Sequence, residues 1–93
     1  MGTETSPGPT SDTTAIDAMI DFLDEVGVAR RWQSGHVDHA HGAVVFAKKA
    51  AAFDAIAADR TRRGEDAESA LEAAERARAD QAWHQRIADG LAS

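Results

Sequence analysis

Apolar residues recur at three- and four-residue steps along most of the chain, which is the spacing of amphipathic α-helices. The first such stretch carries Ile16, Met19, Ile20, Leu23 and Val26. We expect its helix to begin near Thr14, whose hydroxyl can cap the first turn, and to end at Gly27. The pattern therefore predicts a short N-terminal helix that packs this apolar face against the rest of the protein.

Two longer helices are predicted after it. The second covers about residues 38–63 and ends at an arginine cluster followed by Gly64, both of which are typical of a helix C-terminus. The third continues to about Leu91, and its inward face is mostly alanine: Ala67, Ala70, Ala74 and Ala77. Because the turn between them is short, the two helices should run antiparallel. The predicted fold class is all-α, an antiparallel hairpin of two long helices with a shorter N-terminal helix.

The first twelve residues differ from the rest. They contain both prolines of the chain together with several serines and threonines, and no apolar residue follows Met1. Such a composition is typical of disorder. We therefore expect a disordered tail over residues 1–12 and a single helical domain over residues 13–93.

The expected core is thin for a chain of 93 residues. Leu, Ile, Val and Phe together supply 15 residues, whereas alanine supplies 21, and alanine buries little apolar area. A predicted first helix of about 20 Å would also leave much of a hairpin of about 39 Å uncovered. We therefore expect another protein or a second copy of the chain to complete the fold. The expected contact residues are Phe53, Ile56, Trp83 and Ile87.

The net charge of −6 suggests what kind of partner is bound. Asp17, Asp21 and Asp24 form an acidic stripe on the first helix, which suits a basic partner. The leading functional hypothesis is a regulatory or accessory interaction module, such as an inhibitor, an antitoxin-like protein or an assembly partner, that is oligomeric. A DNA-associated regulator is a weaker hypothesis, because an acidic chain repels phosphates and nucleic-acid binding is therefore unexpected.

Three of the four histidines lie within "GHVDHAHG", residues 35–42. The alternative hypothesis is a metal-binding protein or small metalloenzyme, with His36, Asp38, His39 and His84 as candidate ligands. His84 qualifies because a hairpin that turns at Gly64 places it opposite about residue 44. Against this, Asp38 is also the expected N-cap of the second helix, and side chains two residues apart on a helix point in different directions. The preferred interpretation is therefore that no metal or cofactor is bound.

Other classes of function find little support. The chain has no cysteine, so disulfides and thiolate chemistry are excluded. No serine or threonine belongs to a recognisable nucleophile–base arrangement, and we expect the protein not to be an enzyme. Neither a signal peptide nor an apolar run of about 20 residues is present, which predicts a cytoplasmic protein with no membrane contact.

Overall fold

The computed structural model describes residues 7–33 and 35–92, and within these ranges it contains three α-helices and no strand. Helix α1 spans Pro7–Ala29, α2 spans His39–Arg62 and α3 spans Glu68–Ala92. The molecule is elongated, measuring 56 × 25 × 22 Å along its principal axes. The predicted all-α class is confirmed, and so is the hairpin of two long helices formed by α2 and α3.

The turn between α2 and α3 is a Schellman motif centred on Gly64. The backbone N–H of Glu65 donates to the carbonyl of Arg60 at 2.8 Å, and the N–H of Gly64 donates to the carbonyl of Thr61 at 3.1 Å. Gly64 has a φ of 75°, in the left-handed region that favours glycine. The predicted end of the second helix is therefore confirmed.

Helix α1 is longer than its pattern indicates, and the prediction that it ends at Gly27 is wrong. It begins at Pro7, inside the predicted tail of residues 1–12, and the first six residues of that tail lie outside the described residues. Proline is tolerated in the first turn of a helix, because the N–H groups there have no partner within the helix. Gly27 lacks a positive φ, and α1 continues past it to Ala29.

The two glycines provide a matched pair of substitutions. Gly64→Ala should lower the free energy of unfolding by about 1–2 kcal/mol, because a Cβ in the left-handed region is strained. Gly27→Ala should raise it by about 0.5–1 kcal/mol, because a helical Gly27 meets no neighbouring atom and alanine favours the helix. Urea unfolding followed by circular dichroism measures both changes, and a shift of the same sign in the two variants would contradict the placement of Gly64 in a turn and of Gly27 in a helix.

The apolar face of α1 is only half turned inward, which corrects the prediction that all of it packs against the protein. Met19 and Val26 are half-buried, as is Phe22 beside them. Ile16, Ile20 and Leu23 are instead 59%, 51% and 55% exposed. We call these last three residues the outer face of α1.

The three helices form a layer with α2 in the middle. Helix α1 runs antiparallel to α2, since Glu25 reaches His41 and Asp21 reaches Lys48. At 1.5 Å per residue, this register brings the start of α1 level with the end of α2, so α1 lies along α2 for more than the predicted length of about 20 Å. Within the described ranges, α1 and α3 do not contact one another.

A row of helices encloses no central space, and the buried positions are accordingly small. The buried apolar residues are Ala43, Ala50, Ala52, Ala57, Ala67, Ala70, Ala74 and Ala77. Phe53 and Ile56 lie half-buried against the alanine cluster near the α2–α3 turn. The predicted alanine stripe of α3 and the thin core are therefore both confirmed. Among the described residues, no helix combines the length and the apolar character needed to cross a bilayer.

Candidate functional site

Asp38 is the N-cap of α2, as predicted. Its Oδ1 accepts a hydrogen bond of 3.0 Å from the backbone N–H of His41, and its own backbone is extended. This arrangement leaves His36 outside the helix, where it is exposed. Two of the four candidate metal ligands are therefore a helix cap and a solvated loop residue.

The other two candidates, His39 and His84, meet between α2 and α3. Their Nδ1 atoms lie 2.9 Å apart, so one ring donates a hydrogen to the other. Phe46 stacks on His84 with ring centroids 5.4 Å apart, and Trp83 meets His84 edge-on at 4.9 Å. The prediction that the hairpin brings His84 to the start of α2 is confirmed.

Gly42 makes room for this cluster. A Cβ on Gly42 would lie 2.8 Å from Nδ1 and 3.0 Å from Cγ of His84, closer than real contacts allow. Glycine inside a helix normally costs stability, but here it lets the imidazole lie directly on the α2 backbone. The glycine is therefore part of the histidine cluster.

Burial lowers the pKa of His84 below its ordinary value of 6.5; the positive charge of His39 lowers it further, while Asp80 opposes the change. The unfolded chain therefore binds this proton more readily than the folded protein does. The contribution of His84 to stability is complete above about pH 6.5 and is lost as the pH falls through the folded pKa.

We expect the free energy of unfolding to fall more steeply between about pH 7 and pH 5 in the wild type than in His84→Gln, which cannot titrate. Urea titrations at several pH values measure this difference. The other histidines and the carboxylates remain in both proteins, so only the difference between the two curves reports on His84. Parallel curves would show that His84 is not linked to folding.

His41 faces the opposite side of α2, toward α1. Its Nε2 lies 2.8 Å from Oε1 of Glu25, and its ring meets Trp32 edge-on with centroids 5.6 Å apart. Its Nδ1 is buried and finds no hydrogen-bond partner among the described residues. Of the "GHVDHAHG" histidines, His39 thus lies at the α2–α3 interface and His41 at the α1–α2 interface. In the part of the chain that is described, no three His, Asp or Glu side chains converge as metal ligands.

The acidic stripe of α1 divides into paired and unpaired carboxylates. Nζ of Lys48 donates a hydrogen bond of 2.7 Å to Oδ2 of Asp21 and forms a salt bridge with it. This hydrogen bond and the negative charge of Asp21 raise the pKa of Lys48 above its ordinary value of 10.5. Asp17 and Asp24 are exposed, and neither side chain has an ion pair or hydrogen bond within the described ranges. Of the predicted acidic stripe, Asp17 and Asp24 are therefore the carboxylates that can meet a partner without breaking a described contact inside the chain.

The remaining predicted contact residues lie elsewhere. Trp83 is half exposed beside His39, and Ile87 is half-buried one turn further along α3. Phe53 and Ile56 pack within the hairpin, so they do not form a free surface. The arginine cluster is also engaged, since Arg62 and Arg63 both bind Asp59.

Sequence reasoning missed the outer face of α1. Phe22 offered a signal, because this large apolar residue lies beyond the edge of the predicted inward face. When Phe22 is counted with the other apolar residues of α1, they span an arc of the helix that is wider than one neighbouring helix can cover. The chain matches no known family model, and neither a curated protein nor a solved structure is significantly similar to it.

Proposed function

We propose that the protein is a small acidic interaction module that acts as a regulatory or accessory subunit and binds another protein through the outer face of α1. The observation that carries the proposal is the exposure of Ile16, Ile20 and Leu23, each more than half accessible, in a chain whose buried residues are alanines. Three large apolar side chains of α1 are thus exposed, whereas the fully buried apolar side chains of the hairpin are alanines.

The outer face is continuous, unlike the single exposed apolar residues that most proteins carry. Its three residues are spaced by four and three positions, so they lie on one side of the helix. Burying an Ile or Leu side chain completely contributes about 1.5–3 kcal/mol. Association costs at least several kcal/mol, so three such side chains can support binding only together with the half-buried Met19 and Val26 beside them.

Site-specific crosslinking in the cells that make the protein tests the proposal. A photoreactive amino acid at position 20 should give one discrete adduct with another protein. The same amino acid at Ala79, an exposed position of α3, is the matched control and should not give it. Equal adducts from both positions, or none from position 20, would overturn the proposal.

A triple substitution provides the second arm. Ile16, Ile20 and Leu23 changed together to serine should abolish the adduct formed from a probe placed at the neighbouring Met19. Because the three side chains are already exposed, the thermal unfolding of the variant should stay close to that of the wild type. A folded variant that keeps the adduct would contradict the proposed surface.

A further inference from the structure

We infer that the partner contributes an amphipathic helix with basic residues beside its apolar stripe, and that it is not a second copy of this chain. The inference rests on the proposed function, because it names the partner of the same surface. It is carried by the arrangement of charge around the outer face of α1.

The outer face has the geometry of one strand of a helical pair. Ile16, Ile20 and Leu23 follow the d, a and d positions of a heptad, which is the spacing at which two helices pack knobs into holes. Gly27 continues the same line, and a Cβ there would meet no atom of this chain. A partner helix can therefore approach the backbone closely at that end.

Two carboxylates lie along one edge of the outer face of α1. Asp17 follows Ile16 and Asp24 follows Leu23, so the two acids are seven residues apart and both occupy the e position of the heptad. Charged residues at this position select the partner and its orientation. Among the other acids of α1 whose side chains are described, Asp21 forms a salt bridge with Lys48 and Oε1 of Glu25 lies 2.8 Å from Nε2 of His41. The two unpaired carboxylates thus favour Lys or Arg on the partner.

Helix α1 of a second copy of the chain would bring further carboxylates, and no basic residue, to the outer face of α1. If α1 paired with α1 of another copy in antiparallel orientation, e positions would face each other and Asp17 would meet Asp24. If the two helices ran parallel, Asp24 would face Met19 of the other copy, which would desolvate the carboxylate without pairing it. Both arrangements are unfavourable.

The other end of the molecule offers no better surface for self-association. On α3, Trp83, Ile87 and Leu91 form a second partly exposed apolar row. The charged residues among and beside them are Asp80, Arg86 and Asp89, which sum to a negative charge. This row therefore cannot neutralise the acidic edge of α1 in another copy.

Two designed helical peptides test the inference against the full chain. The basic probe carries Leu at the a and d positions and Lys at e and g, and the acidic probe is identical except for Glu in place of Lys. Fluorescence anisotropy should show binding of the basic probe at least about tenfold tighter than that of the acidic probe. This preference should shrink as salt is raised, because the charges are exposed.

Neutral variants assign the preference to the two acids. Asp17→Asn with Asp24→Asn should reduce the preference to about twofold or less, whereas Glu72→Gln with Glu75→Gln on α3 should keep it. Light scattering across a dilution series should give a monomer. A dimer disrupted by serine at positions 16, 20 and 23, or equal binding of both probes, would overturn the inference.

The two proposals can fail separately. If crosslinking from position 20 yields a heterologous partner whose binding is unchanged by the two Asn substitutions, the basic-helix inference is wrong and the proposed function stands. If crosslinking yields only a second copy of the chain, or nothing, both are wrong. If crosslinking from position 20 yields a different protein, and the Asp17→Asn and Asp24→Asn substitutions abolish its binding, both the proposed function and the basic-helix inference are supported.

Discussion

Replacing Ala74 with leucine is expected to lower the free energy of unfolding by about 1–3 kcal/mol, which corresponds to a fall in Tm of about 5–20 °C. Ala74 is fully buried on the face of α3 that packs against α2, and Ala70 and Ala77 beside it are also buried. Small residues at this interface let the two helices approach closely. A leucine side chain must therefore separate the helices or adopt a strained rotamer.

Ala79→Leu is the control for this substitution. It makes the same change on the same helix, but Ala79 is exposed, so the Tm should move by only a degree or two. Differential scanning calorimetry compares the two variants directly. If the Tm of the Ala74→Leu variant were as high as that of the Ala79→Leu variant, the conclusion that α2 and α3 pack closely at Ala74 would be wrong.

The second large effect is expected from Gly42→Ala, which should destabilise the protein by up to about 2 kcal/mol although alanine favours a helix by about 1 kcal/mol. The new Cβ would lie 2.8 Å from His84. His84 cannot shift freely, because His39 hydrogen-bonds its ring and Phe46 stacks on it. Moving the ring breaks contacts among partly buried groups, which costs about 1–3 kcal/mol.

A double-mutant cycle separates the clash from any general effect of position 42. In a His84→Ala background the obstacle is gone, so Gly42→Ala should become neutral or stabilising. Urea unfolding of the four proteins measures the coupling. A stabilising Gly42→Ala in the wild type, or the same cost in both backgrounds, would show that His84 does not lie against Gly42.

The parts of the fold set by nearby residues could be predicted from the sequence. The end of α2 at Gly64, the cap at Asp38 and the alanine stripe of α3 all depend on interactions within a few positions along the chain. Because a short turn forces two helices antiparallel, counting residues from Gly64 also predicts that His84 lies near the first turns of α2, although it does not single out His39 as its partner. The bounds of α1 were harder to predict, since Pro7 and Gly27 suit either a helix or its interruption.

Which side of α1 is buried could not be predicted in the same way. A helical period shows that apolar residues share a face, but it does not show how much of that face a neighbouring helix covers. In the folded protein α2 covers only the arc of Met19, Phe22 and Val26, and it pairs Asp21 and Glu25 of the acidic helix with Lys48 and His41. Local sequence therefore determines where the helices lie along the chain. Tertiary packing decides that Ile16, Ile20 and Leu23 face solvent and that Asp17 and Asp24 stay unpaired, because burial and ion pairing require a second surface and α2 reaches only one side of α1.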